Sequence, residues 1–206
     1  MIIERIVNYN TDENCYIVYD KNKTGFIVDP GNKKEVIMEK IRQLGVDVKY
    51  IFLTHCHYDH IEGLEEIRKE TKARVVSSFE CNKNIQSSNM NLSSLFSDFI
   101  EAQPSDEIVN DGDIINVGEI SVKTILTPGH TNGGACFLAE NELFSGDTLF
   151  LRTVGRWDFP TGDEDTLKNS ILNKLYVLDD DVIVHPGHGN DTKIHYEKRY
   201  NMFVKG

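Results

Sequence analysis

The 206-residue sequence has no apolar run long enough to span a bilayer, so no membrane partner is expected. Its opening stretch, MIIERIVNYN, lacks a basic segment leading into an apolar one. Neither export nor organelle targeting is expected, and the default compartment is the cytoplasm. Cysteine is scarce and scattered. Cys15, Cys56, Cys81 and Cys136 form no Cys-x-x-Cys pair, which argues against a structural zinc knuckle and fits free thiols in a reducing compartment. Basic residues are in deficit: 22 Lys and Arg stand against 33 Asp and Glu, a formal net charge of −11, with no basic stripe to offset it. Such a surface repels a phosphate backbone, so nucleic acid is not an expected partner. No low-complexity linker divides the chain, and residues 1–206 are read as one domain. A chain of this length buries roughly 70% of its unfolded surface and needs no disulfide to hold a core.

What is present is an alternation of strand and helix patterns. Residues 2–7, 15–20 and 25–29 are β-branched or aromatic runs, the last stopped by Asp29-Pro30-Gly31. Val36, Ile37, Ile41 and Leu44 follow at helical spacing over 34–44, with Gly45 as the stop. Residues 48–54 read as a buried strand, 61–71 as a helix and 74–77 as a strand. The Ser- and Asn-rich stretch 79–100 reads as a short helix and then a mobile loop, either a cover over the neighbouring motif or a surface insertion. The second half repeats the theme. Strands are expected over 114–117, 122–126, 135–139, 143–145 and 182–185, helices over 164–175 and 192–202, and a glycine-rich charged loop over 149–163. Two α/β halves packed sheet to sheet are the expected outcome.

The chemistry concentrates at strand ends. His55-Cys56-His57-Tyr58-Asp59-His60 leaves the strand 48–54. Residues two apart on an extended segment share a side, so His55 and His57 can reach one metal together. Asp59 and His60 come as the chain turns into a helix and can serve a second; imidazole and carboxylate suit zinc, and also iron or manganese. Asp59 with Glu62 also matches a helix capping box, the plainer alternative. Thr127-Pro128-Gly129-His130 makes a sharp exit that aims His130 at a cleft. Ser145-Gly146-Asp147 offers a carboxylate able to join two ions. Pro186-Gly187-His188-Gly189 lets a histidine loop approach closely. His185 and His195 are read as ordinary satisfied histidines, and Cys56, turned away by the alternation, as core.

The ordered set His-x-His-x-Asp-His, Pro-Gly-His-Thr, Ser-Gly-Asp-Thr and Pro-Gly-His-Gly resembles the metallo-β-lactamase superfamily over nearly the whole chain. The resemblance implies an α/β fold, a four-layer αβ/βα sandwich of two mixed β-sheets flanked by helices, with the site along one edge. It implies that His55, His57 and His130 hold one metal and that Asp59, His60 and His188 hold another, with Asp147 bridging them. The cofactor so implied is a pair of divalent ions, zinc first, iron or manganese next, with Asp59 and Asp147 as catalytic carboxylates.

Within that superfamily the segment Val154-Gly155-Arg156-Trp157-Asp158-Phe159-Pro160 is similar to the short glyoxalase II-like hydrolases. Arg156 and Asp158 are expected to form a buried-edge pair shaping the loop beside the metals, with a surface salt bridge as the alternative. The implied activity is hydrolysis of a small-molecule thioester, an S-(2-hydroxyacyl) thiol, by water activated between two metals. Longer glyoxalase II enzymes carry a C-terminal helical extension that helps bind glutathione. This sequence ends at Gly206, soon after its last predicted helix, which turns the expectation away from glutathione itself. Two other activities resemble the same pattern. A persulfide dioxygenase would hold one iron at His55, His130 and Asp147, and a lactonase would keep the full ligand set. The final Pro-Gly-His188-Gly favours the hydrolase over the dioxygenase.

Overall fold

The computed structural model describes residues 1–96 and 98–206. Strands form where β-branched and aromatic residues run together, and they end where Asp, Gly or Pro intervenes. The first half comprises β1 (Ile2–Asn8), β2 (Glu13–Tyr19), β3 (Thr24–Val28), α1 (Lys34–Leu44), β4 (Asp47–Phe52) and α2 (Tyr58–Ile61). It continues with α3 (Leu64–Thr71), β5 (Arg74–Ser78), α4 (Phe79–Asn84), α5 (Ser93–Phe96) and β6 (Glu107–Val109). The second half comprises β7 (Ile114–Val117), β8 (Ile120–Leu126), β9 (Ala135–Ala139), β10 (Glu142–Gly146), β11 (Leu149–Phe150) and β12 (Thr153–Val154). After these come α6 (Glu164–Ser170), a π-helical turn over Ile171–Leu175, β13 (Ile183–Pro186), β14 (Thr192–Lys193) and α7 (Ile194–Tyr200).

One mixed sheet runs β1-β2-β3-β4-β5-β6, antiparallel at first and parallel from β3 onward. The other runs β14-β13-β10-β9-β8-β7, with β10 and β13 parallel and the remaining pairs antiparallel. Side-chain alternation along single strands sorts the core into layers. On β2, Cys15, Ile17 and Tyr19 join Ile37 of α1 and Ile67 of α3, whereas Tyr16 and Val18 face the opposite sheet. On β9, Phe137 enters the space between the sheets, and Cys136 turns outward to Leu167 of α6 and Ile194 of α7. The architecture is therefore the expected helix–sheet–sheet–helix sandwich. Its centre is aromatic: Phe52 and Phe137 meet across the sheets with ring centroids 4.9 Å apart, and Phe26 meets Phe52 edge-on at 5.1 Å. All four cysteines are buried and unpaired.

Some expectations needed correcting. The helix expected over 61–71 is two helices, because the Gly63 N–H bonds to the Pro30 carbonyl (2.9 Å) and leaves the helical ladder. The loop 149–163 contains the two-stranded hairpin β11–β12, and the helix expected from 192 begins with a strand, β14, paired to β13. The stretch after α4 is fastened rather than loose: Asn91 Nδ2 donates to the Ile85 and Ile100 carbonyls, and the Asn91 carbonyl accepts from the Tyr58 N–H. No helix among the described residues is long and apolar enough to cross a membrane.

Candidate metal centre

The C-terminal ends of β3, β4, β8, β10 and β13 open onto one edge of the sandwich, and the chain leaving each carries a polar side chain to it. His55 and His57 follow β4, His130 follows β8, Asp147 follows β10 and His188 follows β13. The turn between β4 and α2 has His57 as its N-cap residue, extended at φ −63° and ψ 149°, with no side-chain cap. Asp59 therefore sits inside the helical turn and is not a capping residue, and α2 presents Asp59 and His60 to the site.

Three groups of donor atoms result among the described residues. His55, His57 and His130 form the first, Asp59, His60 and His188 the second, and Asp29 joins His55 and His60 in a third that shares a histidine with each, with the candidate ligand atoms of each group within 4.8 Å of one another. In the first, His130 Nε2 lies 2.9 Å from His57 Nδ1 and 3.3 Å from His55 Nε2. In the second, His188 Nε2 lies 3.3 Å from His60 Nε2 and 3.4 Å from Asp59 Oδ2. Asp147 stands between them. Its Oδ1 is 3.4 Å from His60 Nε2, and its Oδ2 is 3.6 Å from both His130 Nε2 and His188 Nε2. The seven residues singled out by sequence are thus all brought together. His185 and His195 are elsewhere: His185 is held by Glu142 and Asp191, and His195 hydrogen-bonds the Asp180 carbonyl. Cys56 packs into the helix-side core as expected.

The electrostatics of the two groups differ. Burial holds His55 and His130 below the ordinary histidine range and takes His57 to about 3, so all three stay neutral with a lone pair to offer. At His60 burial also opposes charge, but Asp147 and Asp59 outweigh it and raise its pKa well above the ordinary value. His188 is raised in the same way. Burial resists ionisation of Asp147, yet His60 and His188 pull its pKa well below the carboxylate range. This side of the site draws positive charge to itself.

A cation fits these residues. Buried Asp147 Oδ1 has no hydrogen-bond partner among the described residues. The first group packs imidazole nitrogens against one another with too few protons to bond every pair, an arrangement that a shared cation satisfies. The close approach is built into the backbone. A Cβ on Gly187 would collide with Asp147 Oδ1 and with His60 Cε1 at 2.7 Å, and Gly146 turns at φ +48° against the Thr54 side chain.

Behind the donors lies a second set of contacts, part of which sequence reasoning missed. Asp29 appeared only as a strand stop. Its Oδ1 accepts from the Thr54 N–H at 2.8 Å, and its Oδ2 accepts from Thr54 Oγ1 at 2.5 Å and is 3.0 Å from His60 Nδ1. Thr54 Oγ1 in turn lies 3.1 Å from His55 Nδ1. One carboxylate so fixes the ring of a histidine in each group, the usual device for orienting a metal ligand. No sequence signal marked it: Asp29 reaches the site because β3 pairs in parallel beside β4, so both strands end at the same edge.

The loop after β12 behaves differently from the expectation. Arg156 and Asp158 are paired through two contacts of 2.7 Å, but both side chains are exposed, so the expected buried edge does not form. The contact that reaches the site is the Arg156 backbone carbonyl, which accepts from His130 Nδ1 at 2.7 Å. The cavity over the donors is about 280 Å³, and its walls add Tyr58, Leu92, Phe96, Arg156 and Phe159. Tyr58 lies inside the first motif, and Leu92 and Phe96 lie in the stretch read as a possible cover over it, but no sequence signal turned these three side chains toward the cavity.

Residues 9–188 match the family model of the metallo-beta-lactamase superfamily. The chain is 34% identical to the hydroxyacylglutathione hydrolase GloC of Haemophilus influenzae, over 99% of this chain and 98% of that one. It superposes on the crystal structure of the BLEG-1 B3 metallo-beta-lactamase with a TM-score of 0.95 at 30% identity, covering 100% of both chains. It also superposes on TTHA1623 in a di-iron-bound form with a TM-score of 0.86 at 26% identity, over 98% of this chain and 100% of that one. With four donor-bearing strand ends on one edge of a double-sheet sandwich and a family match across most of its length, the chain belongs to the metallo-beta-lactamase superfamily and stands among its metal-dependent hydrolases.

Proposed function

We propose that the protein is a thioesterase of glyoxalase II type, cleaving S-acyl and in particular S-(2-hydroxyacyl) thiols of small-molecule substrates. The observation that carries this reading is the pair of donor groups facing each other across Asp147. The whole-length similarity to a hydroxyacylglutathione hydrolase supports the choice of a thioester. Two divalent cations are the cofactor in this reading, with zinc favoured by the imidazole-rich donor set. His55, His57 and His130 would hold one, and Asp59, His60 and His188 the other, with Asp147 between them. Cations there supply a Lewis acid for the carbonyl oxygen and water acidified toward a pKa of ~7.

The chain's own residues do the rest. The neutral lone pairs of His55, His57 and His130 bind without first losing a proton, whereas His60 and His188 must give theirs up. Asp147 Oδ1, buried and unbonded, orients the attacking water and moves its proton, with Asp59 as the second carboxylate at the mouth. Asp29 and Thr54 keep the rings of His60 and His55 in place. No Ser or Cys nucleophile is required.

The test is to purify the protein without added metal, quantify bound zinc, iron and manganese, and assay S-lactoyl thiol hydrolysis on the same sample. Two metals per chain with thiol release are expected. One tightly bound iron with oxygen uptake and no thiol release would overturn the reading in favour of a dioxygenase.

A further inference from the structure

Resting on the thioesterase reading, we propose that the substrate carries an uncharged aromatic or bulky apolar group next to the scissile bond, and that Phe96 and Phe159 select it. Apart from the donors and Arg156, the cavity is walled by aromatic and aliphatic side chains. Tyr58 and Phe96 stack with centroids 5.9 Å apart and planes 25° apart, Phe96 meets Phe159 edge-on at 5.9 Å, and Phe159 abuts His57 at 6.0 Å. The rings form a continuous apolar path from solvent to a metal-binding histidine. Phe96 is nevertheless 54% exposed, on a segment where Leu95 and Phe99 are also exposed. Apolar surface of this extent beside a cavity marks a place where something apolar is covered.

The polar side of the wall points the same way. Arg156 is the one cation in the lining among the described residues. Its Nε and an Nη are engaged by the two oxygens of Asp158 at 2.7 Å each, and its guanidinium lies 3.7 Å above the Phe159 ring. Asp158 already neutralises Arg156, so a substrate carboxylate on its remaining N–H groups would lie beside a second negative charge. The wall therefore offers no counter-charge to an anionic carrier and gives its area to stacking.

The group can sit on the acyl or on the thiol side of the bond, and the assay separates the two. The metal-loaded protein is given acetyl, phenylacetyl and succinyl thioesters of N-acetylcysteamine, a neutral thiol, together with benzyl thioacetate. A gain of about tenfold in kcat/KM over the acetyl ester is expected for phenylacetyl if the pocket takes the acyl group, or for benzyl thioacetate if it takes the thiol, with the succinyl ester the poorest. Phe96→Ala and Phe159→Ala are each expected to collapse that ratio, through KM, whereas Ile114→Ser, an exposed apolar side chain on the edge strand β7, leaves it as it is. Calorimetry with the non-hydrolysable phenacyl thioether of N-acetylcysteamine supplies a second readout, with binding weakened about tenfold by Phe96→Ala. If no thioester is cleaved, an S-lactoyl thiol included, but the thioether binds in this Phe96-dependent way, the thioesterase reading falls and the pocket stands. If thioesters are cleaved with no aromatic preference, if succinyl is best, if Phe96→Ala slows every ester equally, or if the thioether does not bind, the pocket proposal is overturned.

Discussion

Asp29 shows how one side chain outside the donor set can govern it. It holds Thr54 through two hydrogen bonds and His60 through a third, and Thr54 reaches His55, so a single carboxylate sets two rings. Asp29→Ala is expected to weaken metal binding 10- to 100-fold, read by competition with a chromophoric chelator. Asp29→Asn should lose less, because one oxygen remains to accept from the Thr54 backbone. Gly187 makes a different prediction. Any Cβ there intrudes on Asp147 Oδ1 and His60 Cε1, so Gly187→Ala should disturb the Asp59–His60–His188 group while leaving the circular dichroism spectrum unchanged. Equal metal stoichiometry in variant and parent would contradict it. The donor residues themselves were legible in sequence because imidazoles and carboxylates at strand exits are chemically conspicuous. Asp29 was not, because Asp before Pro-Gly reads first as a turn, and its partners are 25 and 31 residues away.

At the scale of elements, the loop after β12 is held to the site by its backbone. Because the Arg156 carbonyl makes the bond to His130, and the Arg156–Asp158 side-chain pair is exposed, Arg156→Ala should cost no more than about 1 kcal/mol of stability in denaturant titration. A loss several times larger would show that the pair is structural after all. The central aromatics should behave in the opposite way. Phe137 is fully buried between the sheets against Phe52, and Phe137→Ala is expected to cost about 3–5 kcal/mol in the same titration. Long, periodic elements were read well: the helix Lys34–Leu44 and the strand Ala135–Ala139 have the bounds that their apolar patterns predict. Short ones were not. β6 has three residues and exists because β5 offers it a parallel partner, and β11, β12 and β14 have two each. No periodicity can be read over so few residues, and it is pairing that decides them.

At the scale of the whole molecule, a histidine network ties β13 to its surroundings away from the donor groups. His185 contacts Glu142 at 2.6 Å and Asp191 at 3.2 Å, and Arg5 reaches Asp191 from β1. Burial disfavours the charged imidazole, but Asp191 and Glu142 prevail and raise the His185 pKa. A group whose pKa is raised on folding contributes stability that is complete below its unfolded value, about 6.5, and is lost as pH rises through the folded value. Wild-type protein should therefore lose more thermal stability than His185→Gln between pH 6 and the alkaline side of that transition. Parallel melting curves for the two proteins at fixed metal saturation would refute the assignment.

The sequence by itself determined the donor chemistry and the layer architecture, because residue type dictates which atoms can ligate and apolar periodicity dictates which faces are buried. It could not determine which side chains lie behind and around the donors. Asp29, Leu92 and Phe96 reach the site only because parallel strands end in register along one edge and because the segment after α4 is pinned by Asn91. Those are long-range packing outcomes, set by which sheet faces meet, and no local pattern encodes them.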